Sequence, residues 1–485
     1  MKILRKEGDD IQLLCFPEEN VAKGDYVLIH DVSSERSLIA QIIDVQYANI
    51  PGILEDLLRD GISENAVTGN DVDPFKVASQ IEVLKDTRLL VAKIRGALDH
   101  GRLSHEVSWL PSRTHSQVMA MPIGFLTDTL GSHHTFELGS TCRSTIIRPD
   151  LTALDGRLNI VTGRKGTGKS HLSKLLVTSL VNEGAPVVVL DVNGEYVNLG
   201  NGSDGRQMHA FPKILSLIPG INLRFNLSQV GLGTLLGILV HALALPENSA
   251  RVFTRIWHEL EQENSLTMAA LGSAIVNFGC HDSIKDALQA RFNTLEDSGL
   301  FSDDPRVSIR LEEVFRNHQS GCALIVNMKN QHATMRRITV ELLISKLTDL
   351  LSTQKLKALF LFAEEAHLYL RETYWDDIVT RMRHLGLFTT FVTNQPDTVQ
   401  NSIYRQADNV FLFNFSNDHD LEVVSKVAKV DADTIKLIVR DLPPHRCLVV
   451  GDMVGNFPLV VNVKPLDVQT MGATRYFFQD QLAAT

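Results

Sequence analysis

The residues best suited to chemistry stand in two stretches. The first is Gly163-Arg164-Lys165-Gly166-Thr167-Gly168-Lys169-Ser170, a complete G-x-x-x-x-G-K-[ST] pattern. Its glycines let the backbone fold around phosphates with successive N–H groups turned inward, and the helix that follows offers its positive N-terminal end. Such a loop binds polyphosphate. Lys169 is placed to reach the β/γ-phosphates, the Ser170 hydroxyl to ligate Mg2+, and His171 completes the nucleotide-binding set Gly163–His171. The second stretch is the apolar run Ala358–Ala363, followed at once by Glu364-Glu365-Ala366-His367. Two adjacent carboxylates at a strand end supply what ATP hydrolysis needs. One supports the Mg2+ shell, which makes Glu364 a candidate metal ligand beside Ser170, and the next positions and polarises the attacking water. Thr393-Asn394-Gln395, at the polar end of a further apolar run, suits the γ-phosphate or that water. No acceptor-binding motif is visible, so the set favours an ATPase over a phosphotransferase.

These residues need a scaffold that brings strand ends together. Leu158–Thr162 reads as a short buried strand leading into the loop, and Lys169–Leu180 has apolar residues at helical spacing. Pro186–Leu190 is a second apolar strand, ending in Asp191-Val192-Asn193-Gly194-Glu195-Tyr196. Its two carboxylates stand just past a strand's C-terminal edge, where ligands bind in open parallel sheets. Cys322–Met328, Leu387–Val392, Asn409–Phe415, Arg446–Val450 and Pro458–Val463 continue the strand pattern, and Arg336–Leu351 is an amphipathic helix. This alternation predicts an α/β fold with a mostly parallel, three-layer sheet. Thr234–Leu245, Ala250–Glu263, Thr267–Phe278 and Ile284–Leu295 carry helical periodicity and read as an insertion. From Met1 to about Leu110, short β-type runs predict a small barrel or sandwich, interrupted by a helical stretch over Pro51–Asp73. That region holds no catalytic constellation, so docking or assembly is its expected role. The domain plan is therefore an N-terminal barrel over 1–130, a nucleotide core over 131–201 and 321–485, and a helical insertion over 202–320.

Composition narrows the setting. With 44% apolar and 21% charged residues the 485-residue chain is globular, with material for roughly three domains. No segment approaches the ~18 uninterrupted apolar residues of a membrane span, and MKILRKEGDD lacks an apolar signal core, so no membrane partner and no export are expected. Five scattered cysteines without a C-x-x-C pair read as reduced thiols in a cytoplasmic protein. A net charge of −10 excludes a surface that is basic everywhere, which confines any nucleic-acid contact to a local patch or a pore.

Taken together, the Gly163–Ser170 loop, D-x-x-G-E-Y at Asp191–Tyr196, E-E-A-H at Glu364–His367, R-x-R-H-x-G at Arg381–Gly386 and T-N-Q-P at Thr393–Pro396 resemble the HerA branch of the HerA/FtsK ATPases. Gly24-Asp25-Tyr26-Val27 with Ala40-Gln41-Ile42-Ile43-Asp44-Val45 is similar to the small barrel that precedes the motor in that family. The resemblance implies a RecA-like core in a homo-hexameric ring that hydrolyses Mg2+-bound ATP at subunit interfaces. It also implies movement of double-stranded DNA through the pore, with a partner nuclease or other effector protein docking on the barrel. By the family pattern Lys169 and Ser170 bind nucleotide, Glu365 is the water-activating base, Gln395 the sensor and Arg383 the arginine finger acting across the interface. Where the family carries Asp as the first of the paired acids, this chain carries the longer Glu364. HerA-like rings also serve as ATPase scaffolds that switch an anti-phage effector such as a nuclease or an NADase, an alternative in which DNA transport is secondary.

Overall fold

The computed structural model describes residues 1–48, 86–99, 102–104, 107, 109–127, 133–207, 214–369, 378–426 and 430–469. The helix expected over Pro51–Asp73 lies outside them.

The N-terminal part is an antiparallel sheet. Its strands are β1 (Lys2–Glu7), β2 (Asp10–Cys15), β3 (Tyr26–Asp31), β4 (Arg36–Tyr47), β5 (Arg88–Asp99), β6 (Arg102–Ser104) and β7 (Ser116–Ala120). They run in the order β1-β2-β5-β4-β3-β7, with β6 added beside β5. Period-two burial explains the fold: Ile11, Leu13 and Cys15 of β2 face the same core as Leu38, Ala40 and Ile42 of β4. The β4–β5 ladder slips register between Ile39 and Ala40 and again between Ile42 and Asp44. Such bulges bend and twist a sheet, and here β1 curls round towards β7. The result is a barrel-like curled sheet, in line with the expected small barrel; among the described residues no ladder joins β1 to β7. The irregular β1, whose own register slips between Ile3 and Arg5, and the short β7 stand at the two open edges.

The second sheet contains β8 (Gly139–Ser140), β9 (Ile146–Ile147), β10 (Asn159–Thr162), β11 (Pro186–Asp191), β12 (Ile214–Leu217) and β13 (Cys322–Asn327). It continues with β14 (Leu359–Glu364), β15 (Leu387–Thr393), β16 (Asn409–Leu412), β17 (Arg446–Gly451) and β18 (Leu459–Val463). The order is β12-β13-β11-β14-β15-β10-β16-β17-β18-β8-β9. Neighbours from β12 to β16 are parallel, and those from β16 to β9 antiparallel, so the α/β sheet is mixed. Helices cover both faces of the parallel part, which is why its strands are apolar throughout. Val187 and Val189 of β11 pack with Leu172, Leu176 and Leu180 of the helix Lys169–Asn182. Val188 and Leu190 point the other way, into a core shared with Leu343 and Leu347 of the helix Ala333–Ser352.

The stretch read as a helical insertion holds the helices Glu247–Gln262, Met268–Asn277 and Asp282–Asp297. Their Phe253, Trp257, Leu271 and Leu288 belong to the same core as the Ala333–Ser352 helix. Ile214–Leu217, inside that stretch, is instead the edge strand β12, paired in parallel with β13. Among the described residues no helix is long and apolar enough to cross a membrane.

The curled sheet is fastened to the core. Tyr26 Oη and Gln41 Nε2 both donate to Pro458 O, at 2.9 and 2.8 Å. Arg95 donates to Gln41 Oε1, to Thr434 Oγ1 and to Asp431 Oδ2, the last at 2.7 Å.

Candidate functional site

Parallel pairing aligns the C-terminal ends of β10, β11, β14 and β15, and each end carries one of the sequence candidates. Beyond β10 the chain turns through Gly163–Gly168 into the helix Lys169–Asn182. Gly168 sits at φ 115°, which disfavours any side chain, and a Cβ at Gly163 would stand 2.5 Å from Phe413 Cβ. No side chain caps the first turn of the helix, so its N–H groups remain available to an anion. The loop is braced from within, with Thr167 Oγ1 and Lys169 Nζ both donating to Arg164 O at 2.8 and 3.1 Å. Arg164 and Lys165 are exposed, Ser170 and His171 half-buried. His171 lies against Lys464 O at 2.8 Å and edge-on to His445. Lys169 is buried. Burial pulls its ammonium below the ordinary lysine range, and Glu365, Glu364 and Glu195 oppose that pull.

The paired acids differ in environment. Glu364 ends β14, only 4% exposed, and accepts a hydrogen bond from Tyr196 Oη at Oε1. Burial pushes its carboxyl up to about 8; the Tyr196 bond opposes this, and the charges of Glu195, Asp191 and Glu365 add to it. Glu365 adopts φ 48° and ψ 46°, a left-handed conformation uncommon for a residue with a side chain and typical of strained functional positions. Its N–H donates to Val392 O at 2.8 Å, which ties the turn to β15. Glu365 Oε2 is buried and finds no hydrogen-bond partner among the described residues; His367 Nδ1 stands 3.6 Å away. A buried carboxylate oxygen without a hydrogen-bond partner from the described residues can accept from a polar group that enters the site. Beyond β15, Gln395 is exposed, its N–H held by Thr393 Oγ1 at 3.1 Å, and Asn394 Oδ1 is also buried without a partner among the described residues.

Beyond β11 the two acids divide. Asp191 is consumed in shaping the turn, since its carboxylate accepts from the N–H groups of Gly194, Glu195 and Tyr196 at 2.8 to 3.0 Å. Glu195 Oε2 instead lies 3.6 Å from Lys174 Nζ, whose ammonium also stands 5.4 Å from the Tyr196 ring centroid. Lys174 is 3% exposed, and burial lowers its proton affinity against the pull of Glu195. No motif in the sequence marks this second buried cation. Its one signal is position, a lysine on the loop helix five residues past Lys169.

Arg383 is not brought to this edge. It precedes β15, and its guanidinium donates to Gly156 O at 2.6 Å and pairs with Asp408 at 3.0 Å. Both partners lie before β10 and β16, so Arg383 sits at the edge of the sheet opposite the loop.

Residues 156–368 match the family described as "Helicase HerA, central domain". In three dimensions the chain is similar to VirB4 of Thermoanaerobacter pseudethanolicus, with 13% identity, 70% of this chain and 98% of that chain covered, and a TM-score of 0.52. It is also similar to the bacterial conjugative coupling protein TrwBdeltaN70 in its trigonal form with sulphate, with 15% identity, 73% and 93% covered, and a TM-score of 0.50. No curated protein matches the chain by sequence.

Proposed function

We propose that this chain, whose residues 156–368 match the HerA central-domain family, hydrolyses ATP with Mg2+ and couples that hydrolysis to moving double-stranded DNA as a homo-hexameric ring. The observation that carries the ATPase reading is the meeting, at one sheet edge, of an uncapped glycine loop with the buried Lys169 and a Glu365 whose Oε2 has no partner among the described residues. A triphosphate with its attacking water fills both needs.

The residues fit the metal. Among the described residues no group of three or more His, Cys, Asp or Glu is arranged to hold an ion, and Mg2+ at such sites takes one or two protein oxygens together with phosphate oxygens. Ser170 and Glu364 are the protein ligands in this reading. Mg2+ held by these residues would supply positive charge against the phosphates. Lys169 exchanges Arg164 O for the β/γ-phosphates. Glu365 orients water and takes its proton at Oε2, and Gln395 reports the γ-phosphate to the rest of the subunit. Arg383, anchored far from its own loop, completes the site of the neighbouring subunit. The curled N-terminal sheet is the docking surface for a partner nuclease or other effector.

The test is the ATPase rate of the purified protein with and without double-stranded DNA, measured together with its mass in solution. Mg2+-dependent turnover by a hexamer, raised by DNA in a salt-sensitive manner, is expected. Turnover indifferent to DNA at every salt concentration overturns DNA transport and leaves the effector-switching scaffold; no turnover overturns the ATPase.

A further inference from the structure

The turn after β11 does more than close a loop. Three backbone N–H groups converge on the Asp191 carboxylate, and this folds Gly194-Glu195-Tyr196 back so that the Tyr196 ring lies wholly buried beneath the end of β14. There the Tyr196 hydroxyl donates to Glu364 Oε1. A second tyrosine grips the same residue through the backbone, with Tyr369 Oη donating to Glu364 O at 3.0 Å. The ring of Tyr196 is itself held from the loop helix, because Lys174 places its ammonium 5.4 Å from the ring centroid while pairing with Glu195.

The chain of contacts therefore runs from the nucleotide-loop helix through Lys174 and Tyr196 to one oxygen of Glu364. Glu has one more rotatable bond than Asp, and a carboxylate that must meet a metal shell needs that freedom removed. Outer hydrogen bonds to metal ligands commonly do this, and losing them costs roughly 10–100-fold in metal affinity or activity. With Oε1 occupied by the phenol, Oε2 is the oxygen left for the metal side.

We propose that Tyr196 is a positioning residue for Mg2+: its phenol holds Glu364 in the orientation that serves the metal, and Lys174 makes that hold one piece with the phosphate-binding helix. The inference rests on the ATPase reading above. It gives the D-x-x-G-E-Y stretch a task that neither Asp191, spent on the turn, nor Glu195, paired with Lys174, performs directly.

The experiment measures equilibrium binding of a fluorescent ATP analogue in EDTA and across a Mg2+ titration, for the full-length protein. In Tyr196→Phe, affinity in EDTA should stay within about twofold, while the Mg2+ concentration for half-maximal enhancement rises by about tenfold or more. Lys174→Met, which removes the cation that braces the ring, should shift the Mg2+ midpoint in the same direction by less, and it stands in if Tyr196→Phe does not fold. In a Glu364→Asp background, where the carboxylate is too short for the phenol, removing the hydroxyl should change the midpoint by less than about threefold, the non-additivity expected of two partners. A merely structural tyrosine would lower stability without moving the Mg2+ midpoint. Unchanged midpoints in both variants, or an equal loss in the Glu364→Asp background, overturn the positioning role while the ATPase reading stands. A wild-type protein that binds no ATP overturns both.

Discussion

Replacing Glu365 by Gln keeps the side chain's size and removes only its charge and its capacity to accept a proton. The magnitude follows from what surrounds it. Glu364 has its Oε1 taken by Tyr196, Asp191 has both oxygens taken by backbone N–H groups, and Glu195 faces Lys174. None of these can substitute for the buried Glu365 Oε2, which lacks a hydrogen-bond partner among the described residues. The loss should therefore fall in the upper part of the range for a removed general base, about 10³–10⁴ in kcat, or about 4–5.5 kcal/mol of barrier. Binding should behave differently. Glu365 heads the carboxylates that favour the charged form of the buried Lys169, so its neutralisation removes a negative charge close to where phosphate charge arrives. ATP affinity should hold or tighten. Phosphate release at saturating Mg2+ and ATP gives kcat, and equilibrium titration with a fluorescent ATP analogue gives affinity. Lys169→Ala is the counterpart and should lose binding itself. Turnover of Glu365→Gln within tenfold of wild type would refute the reasoning and move attention to Glu364 and Glu195.

The empty protein should lose stability as pH rises from about 4.5 to about 8. Burial raises the Glu364 pKa from 4.5 to about 8, so across that window the folded state holds a proton that the unfolded state has released; thermal melts of wild type and Glu364→Gln should converge in slope only if another group is responsible. Arg383→Ala should bind ATP without hydrolysing it, and mixing it with Lys169→Ala subunits should restore some turnover at interfaces that pair an intact loop with an intact arginine. Mixed rings without recovery would remove Arg383 from that role and bring Arg381 forward. Arg95→Ala breaks the bonds to Gln41, Asp431 and Thr434 and should cost about 1–3 kcal/mol, seen as earlier melting of the N-terminal sheet; a single unshifted transition would contradict it.

The parallel half of the core sheet was legible because its strands are buried on both faces. Runs such as Val187–Leu190 and Leu359–Ala363 are apolar without alternation, and the glycine loop fixes where one of them must end. β12 was not legible. At the sheet edge only Leu217 is fully buried, so Ile214–Leu217 carries no pattern that separates it from a loop. The two-residue strands β8 and β9 exist only through pairing with β18 and with each other, which local sequence does not record. The N-terminal alternation announced a curved antiparallel sheet but not whether its edges close. In the site, loop and paired acids could be read from motif and spacing. Lys174 could not, because a lysine on a helix reads as a solvated face until both neighbouring layers are seen to cover it.

The threading of the core sheet has a consequence for how the chain comes off the ribosome. β10, at the centre, lies between β15 and β16, whose paired residues are 231 and 250 positions later. β8 waits longer still, for β18 near residue 462. At roughly 5–20 residues per second of synthesis, the β8 edge spends on the order of 15–60 s without its partner. The apolar strands β10 and β11 are meanwhile made before the strands that flank them, β13, β14, β15 and β16. Sheets with such distant pairings fold slowly and expose sticky surface in the interval. Yield of native protein should therefore depend on translation rate and chaperone supply more steeply than on the final stability of the fold.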